Sequence, residues 1–197
     1  MNKNSDSEKI RTFIAIPLPP SVTGELKKLL AQMKSFSKGI KWVNPESIHL
    51  TLKFLGNLSA GELSKVFTGM QNIFQDPPSG FRLTAAELGA FPSLKKPRVF
   101  WVGVSGSGME TLIQLQKLIE DEMYRQGFPR EERKFSPHLT LSRIKFADRL
   151  TELTQAFSSY NFPAVEFMVS EILIMRSELR PEGAVYSIQQ KFALSLG

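Results

Sequence analysis

The chain of 197 residues contains two histidines, and each begins the same tetrapeptide, His-Leu-Thr-Leu, at residues 49–52 and 138–141. A given histidine is followed by Leu-Thr-Leu by chance about once in a thousand times or less. Phe13 lies 36 residues before His49, and Val99 lies 39 residues before His138. Matching tetrapeptides at near-equal offsets indicate an internal duplication.

The hydrophobic pattern predicts the same order of elements in both halves. Strands are expected at residues 11–18, 47–55, 81–88, 98–104, 135–144, 164–175 and 184–194, and helices at 21–36, 59–74, 107–126 and 148–160. Ser21, Ser59 and Ser107 are the expected N-caps, and Glu62 completes a capping box with Ser59. Alternating strands and helices favour a parallel α/β sheet, but the repeat also permits two similar lobes that face each other.

Each tetrapeptide presents an imidazole and a hydroxyl on one face of a strand. Residues i and i+2 of a strand point the same way, so His49 lies beside Thr51, and His138 lies beside Thr140. Imidazole titrates near pH 6.5, so one ring can take a proton while the other gives one. A lone histidine on such a strand is usually a packing residue, but two matching copies favour a shared acid–base site for a phosphodiester.

The composition limits the class of protein. Lys and Arg exceed Asp and Glu by 25 to 19, and this net charge of +6 indicates a polyanionic partner, either nucleic acid or an acidic membrane surface. The absence of cysteine excludes disulfides, thiolate nucleophiles, iron–sulfur clusters and cysteine-ligated zinc. A polar beginning and no long apolar run predict a cytoplasmic protein. No cofactor or metal site is expected.

Five blocks of sequence, spread over nearly the whole chain, resemble the RNA 2′,3′-cyclic phosphodiesterases, also called the 2′-5′ RNA ligase family, of the two-histidine phosphoesterase superfamily. They are RTFIAI (11–16), KWVNPESIHLTLKFLG (41–56), RVFWVG (98–103), FSPHLTLSR (135–143) and SxLxPxGAxY (177–186). Ser142 stands where family members commonly have alanine.

The resemblance implies an α+β fold in which two similar lobes with mostly antiparallel sheets line a central cleft, replacing the parallel alternative. One bilobal domain would span residues 1–197, with residues 1–10 as a flexible tail. The implied reaction opens an RNA 2′,3′-cyclic phosphate to a 2′-phosphomonoester, with His49 as proton donor and His138 as proton acceptor. Reversal with a 5′-hydroxyl would give 2′-5′ ligation. The expected partner is RNA with a cyclic phosphate end, without a membrane or an obligate protein partner, and the chain would be a monomer.

Thr51 and Thr140 are expected to bind the phosphate. The resemblance makes Arg143 a further phosphate contact, but strict alternation turns it away from His138 unless the strand contains a bulge. Trp42 is a candidate for stacking on a base.

Other basic and aromatic residues have two interpretations each. Lys53 shares the face of His49 by alternation and is expected to face solvent rather than RNA. Phe54 is expected on the core side. Residues 95–98, Lys-Lys-Pro-Arg, form either a patch for the RNA backbone or an exposed turn.

Two alternative functions stay open at this point. A related phosphodiesterase could use the same residues on ADP-ribose cyclic phosphate or 2′-5′ oligonucleotides. A non-catalytic module could instead bind RNA ends and tolerate the loss of a histidine.

Overall fold

One antiparallel sheet of eight strands organises the computed structural model, which describes residues 9–36, 40–144, 150–180 and 183–195. The strands are β1 (Ile10–Ile16), β2 (Leu50–Leu58), β3 (Phe81–Phe91), β4 (Val99–Ser105), β5 (His138–Arg143), β6 (Val165–Val169), β7 (Glu171–Arg180) and β8 (Gly183–Ala193). The helices are α1 (Pro20–Lys34), α2 (Ala60–Ile73), α3 (Met109–Arg125) and α4 (Thr151–Ser159), with a 3-10 turn at Pro45–Ser47.

The strand order shows the duplication directly. It runs β6-β3-β4-β5-β2-β1-β7-β8, and every neighbouring pair is antiparallel. Counting outward from the centre, β2 corresponds to β5, β1 to β4, β7 to β3 and β8 to β6. The two halves join where Leu50 of β2 pairs with Leu139 of β5. The mostly antiparallel fold with an internal twofold is confirmed, and a parallel sheet is wrong.

The helices bury their apolar stripes with one face of the sheet in a continuous core. Members of this core include Ile14, Leu50, Phe100 and Leu139 from the central strands, all fully buried. Since side chains alternate along a strand, the neighbours of these residues point to the other face. That face is not covered by the helices, and it carries both histidines.

Local sequence signals account for the beginnings of two helices in different ways. The capping box of α2 is present, because the Ser59 amide donates to Glu62 Oε2 over 2.8 Å and the Glu62 amide donates to Ser59 Oγ over 3.3 Å. Ser21 is not the cap of α1, which begins one residue earlier at Pro20, where a fixed φ favours the first helical turn. Ser107 is also not a cap, because α3 begins at Met109 after Gly108.

Some boundaries differ from the predicted ones. The strand expected at 164–175 is divided at Ser170 into β6 and β7. Of the expected tail, residues 1–8 lie outside the described residues, and Ile10 already pairs with Leu58 in β1. The expected helix start at Asp148 also lies outside the described residues. Within the described part of the chain, no helix is long and apolar enough to cross a membrane.

Candidate active site

The two histidines meet at the junction between the halves. His49 immediately precedes β2, and His138 is the first residue of β5. The antiparallel pair Leu50–Leu139 sets a register in which His49 lies opposite Thr140 and Thr51 lies opposite His138. Both leucines are fully buried, so the four polar side chains point to the open face together. The structure therefore places both tetrapeptides around one local twofold axis.

Each imidazole is oriented by the same kind of hydrogen bond. His49 Nδ1 lies 2.9 Å from the carbonyl oxygen of Ser47, and His138 Nδ1 lies 2.7 Å from that of Ser136. A carbonyl oxygen can only accept, so Nδ1 carries the hydrogen in both rings. The nitrogen that remains for proton transfer is Nε2 in each case.

Aromatic side chains surround both imidazoles. Phe13 stacks on His49 with ring centroids 4.6 Å apart, and Tyr186 meets the same imidazole edge-on at 5.2 Å. On the other half, Phe91 meets His138 edge-on at 5.0 Å. These rings remove the imidazoles partly from water.

Burial is the main cause that lowers the pKa of both histidines below the ordinary value. The carbonyl hydrogen bonds oppose this effect by raising the pKa of each ring. The positive charge of Arg143 adds to the lowering of the His138 pKa and also acts on Tyr186, whose pKa is raised mainly by burial. Neutral imidazole is therefore favoured in both halves before any anion is bound.

A β-bulge turns Arg143 toward the cleft. Between Thr140 and Ser142 the register against β4 shifts, so that Leu141 is the extra residue on β5. Past the bulge, alternation places Arg143 on the same face as His138, where its side chain is exposed. Alternation along the strand required such a bulge before Arg143 could face the site, and the structure contains it.

The equivalent bulge in β2 makes two sequence predictions wrong. Leu52 is the extra residue there, because the register against β1 shifts between Thr51 and Lys53. Lys53 consequently points into the core with 5% of its surface exposed, and its Nζ lies 2.7 Å from Glu120 Oε1. Phe54 points to the cleft face and is 54% exposed. Lys53 is not solvent-facing, and Phe54 is not a core residue.

Past the two bulges, the equivalent parts of β2 and β5 form two arms of the cleft, and these arms carry different side chains. Counting from each histidine, Phe54 in the first half occupies the position of Arg143 in the second half. The ring of Phe54 is 5.9 Å from that of Phe13, which itself stacks on His49. One arm of a nearly symmetric site therefore carries a cation, and the other carries an exposed aromatic ring.

Trp42 is placed away from this arrangement. Its ring stacks at 6.0 Å on Phe100, which is fully buried and lies on the helix-covered face of β4. Its backbone forms a bridge with Ser142. This placement does not support contact between Trp42 and a base in the cleft.

The aromatic side chains that surround the two imidazoles were not identified from the sequence. Tyr186 ends the 177–186 block, which was the available signal, and it pairs with Ser177 across the β7–β8 hairpin. Phe13 lies in the 11–16 block, which gave the same kind of signal, whereas Phe91 lies beyond the strand predicted at 81–88 and carried none. In the described residues, no group of three or more histidines, aspartates and glutamates is close enough to hold a metal ion.

Known proteins resemble the chain along nearly its whole length. The sequence model of the family of LigT-like phosphoesterases matches this chain twice, at residues 16–101 and at residues 102–186. An RNA 2′,3′-cyclic phosphodiesterase of Methanothermobacter thermautotrophicus is 33% identical over 192 residues, spanning 94% of this chain and 100% of that protein. The protein of the same name from Thermotoga maritima is 32% identical over 180 residues, spanning 91% of this chain and 92% of its own.

Solved structures share the fold. The protein TT0787 of Thermus thermophilus has a TM-score of 0.75 at 28% identity and covers 93% of this chain and 97% of its own. The apo form of E. coli LigT has a TM-score of 0.71 over 96% of this chain and 99% of its own, and its 24% identity shows the fold alone. Because the family model matches both halves of the chain and relatives exceed 30% identity, the chain belongs to the LigT-like phosphoesterase family.

Proposed function

We propose that this protein hydrolyses RNA 2′,3′-cyclic phosphate ends to 2′-phosphomonoesters by acid–base catalysis with its two histidines and without a metal ion. The observation that carries the proposal is the meeting of both His-x-Thr pairs on one open face, with each Nε2 available for proton transfer. The relatives named as RNA 2′,3′-cyclic phosphodiesterases support the substrate class.

The proton transfers balance with two imidazoles. His138 Nε2 removes a proton from water as the water oxygen bonds to phosphorus, and the bond from phosphorus to the 3′ oxygen breaks. His49 Nε2 gives its proton to that leaving oxygen. The products are a 2′-phosphomonoester and a 3′-hydroxyl. Afterwards His138 carries the proton and His49 is neutral, and exchange with water restores the starting state.

The remaining polar groups hold the phosphate. Thr51 and Thr140 are positioned to donate to its non-bridging oxygens, and a hydrogen bond to a charged acceptor contributes about 1.5–3 kcal/mol. Arg143 supplies positive charge from the bulged end of β5. The exposed ring of Phe54 on the opposite arm offers a flat surface for the nucleoside.

The nature of the phosphate excludes DNA as a substrate. A cyclic phosphate of this kind needs a ribose 2′-hydroxyl, which DNA lacks. The five-membered ring is strained, so proton transfer at two atoms is sufficient chemistry to open it.

The direct test is product analysis. Purified protein is incubated in EDTA with a short RNA that ends in a 2′,3′-cyclic phosphate, and the terminal phosphate is identified. We expect a 2′-phosphomonoester, formed at the same rate with and without EDTA. A 3′-phosphomonoester would reverse the leaving group, and tight binding without any product would support the non-catalytic RNA-end module instead.

The pH dependence of the reaction follows from the histidine environments. The base must be neutral and the acid protonated, so kcat/KM should be bell-shaped. Since the pKa of each ring is lowered by burial, both limbs should lie below the ordinary histidine value of about 6.5. A bound phosphate anion favours the protonated rings, so the optimum of kcat should lie at higher pH than that of kcat/KM.

Loss of activity on the acid limb of the kcat/KM profile must be distinguished from unfolding at low pH. A histidine whose pKa is lower in the folded chain binds fewer protons there than in the unfolded chain, so stability falls as pH decreases from about 6.5 through the folded pKa. Rates are therefore compared only at pH values where thermal denaturation shows the protein folded. A kcat/KM profile that is flat from about pH 5 to 8 would contradict the mechanism.

A further inference from the structure

A groove with one basic wall lies between the loop at residues 92–98 and α4 (Thr151–Ser159). Its volume is about 900 Å³. The loop contributes Lys95, Lys96 and Arg98 to one wall. Sites that enclose small ligands usually measure about 300–1,000 Å³, so the groove has room for more than a single phosphate.

The groove combines basic and hydrogen-bonding groups with an apolar part formed by Pro92, Leu94, Pro97 and Leu150. The α4 residues that line it are Thr151, Thr154, Gln155, Ser158 and Ser159, so this helix face presents hydroxyls and one amide. Leu153 and Phe157, on the opposite side of α4, are buried. No carboxylate lines the groove among the described residues, and neither loop lysine is in an ion pair with a described residue.

The loop that forms one wall of the groove adjoins the active-site cleft, while α4, the other wall, packs on the helix-covered face of the sheet. Phe91, which meets His138 edge-on at 5.0 Å, is the residue immediately before the loop. The loop closes where the Arg98 amide donates to the Phe91 carbonyl oxygen over 2.7 Å. The next residue, Val99, pairs with Arg143. The loop that carries the two lysines and Arg98 therefore begins beside His138 and ends beside the strand position of Arg143.

We propose that this groove binds the sugar–phosphate backbone of the nucleotides on the 5′ side of the cyclic phosphate. The proposal rests on the proposed function: a 2′,3′-cyclic phosphate is the 3′ end of an RNA, so the rest of the strand leaves the cleft on its 5′ side. Positively charged grooves track the backbone of single strands, and the lysines and hydroxyls of this groove could contact phosphate and ribose in that way. The favoured substrate class is then an oligonucleotide rather than a mononucleotide or a nucleotide sugar.

Kinetics with two substrates test the groove. Wild-type protein and the variant Lys95→Ser/Lys96→Ser are compared on cytidine 2′,3′-cyclic phosphate and on an RNA of about eight nucleotides with the same cyclic end. The control variant, Lys65→Ser/Lys117→Ser, removes two exposed lysines from α2 and α3. At low salt we expect the groove variant to raise KM for the oligonucleotide about tenfold, with kcat/KM for the mononucleotide unchanged, and the control to change neither.

A binding measurement separates this inference from the proposed function. A fluorescent oligonucleotide ending in a 2′-phosphate is titrated with each variant at several salt concentrations. Two lost phosphate contacts should lower the salt slope by about 1.4, at about 0.7 per contact for a single strand. If neither substrate were hydrolysed, the proposed function would fail, while this titration would still decide the groove.

Three results would overturn the inference. One is equal KM values for both substrates in the wild type. Another is a loss of oligonucleotide binding in the groove variant no greater than in the control. The third is displacement of the RNA by an acidic peptide of equal charge at the same ionic strength, which would assign the groove to a protein partner.

Discussion

Replacing either histidine with alanine is expected to lower kcat/KM for an RNA 2′,3′-cyclic phosphate by about 10²–10⁴-fold. Each variant deletes one of the two Nε2 atoms, and a positioned proton donor or acceptor typically contributes an acceleration of that size. Steady-state rates for His49→Ala and His138→Ala at the wild-type pH optimum measure the loss. Rates within a few-fold of wild type in either variant would refute the two-histidine mechanism.

Asparagine at the same positions provides a matched variant. Its side-chain amide can donate to the carbonyl oxygens of Ser47 and Ser136, which accept from Nδ1 in the wild type, but it has no counterpart of Nε2. His49→Asn and His138→Asn should therefore unfold near the wild-type temperature and be as inactive as the alanine variants. Activity retained by asparagine but not by alanine would show that the rings serve only to hold the backbone.

Lys53→Met is expected to destabilise the protein by about 3–5 kcal/mol, because it leaves a buried carboxylate without its counter-ion. The side chains of Lys53 and Glu120 are only 3% and 11% exposed, and their charged atoms are 2.7 Å apart. Lys53 Nζ also donates to the Pro129 carbonyl oxygen over 3.0 Å, and the Glu131 amide donates to Glu120 Oε1 over 2.9 Å. Urea denaturation measures the loss.

Two further variants control this experiment. Arg82→Met breaks an ion pair with Glu166 in which both side chains are more than half exposed, and such pairs contribute only about 0–1 kcal/mol. The double variant Lys53→Met/Glu120→Leu removes both buried charges and should recover most of the stability lost in Lys53→Met. A loss for Lys53→Met no larger than for Arg82→Met would contradict the buried-pair account.

The sequence was sufficient to predict the duplication and the two His-x-Thr pairs, because those signals are local and occur twice, whereas the antiparallel arrangement followed only from the family resemblance. It was insufficient beyond the bulges at Leu52 and Leu141. A bulge depends on how a strand pairs with its neighbour, so alternation counted along one strand alone placed Lys53 and Phe54 on the wrong faces.

Contacts between segments that are distant in the chain could not be predicted from the sequence either. Tyr186 reaches His49 from β8, the last strand, and Phe91 reaches His138 from β3. These neighbours are set by the strand order, which hydrophobic periodicity does not specify. The buried position of Lys53 likewise depends on Glu120, 67 residues away on α3.

The difference between Phe54 and Arg143 has an evolutionary consequence. A gene duplication that produced two identical halves would have given a site able to accept its substrate in two opposite orientations, with the histidines exchanging roles between turnovers. Phe54 at one end and Arg143 at the other break this symmetry, so one end of the cleft suits a flat ring and the other an anion. Under the proposed function, this asymmetry would hold the substrate in one orientation, so that each histidine keeps a single role in every turnover.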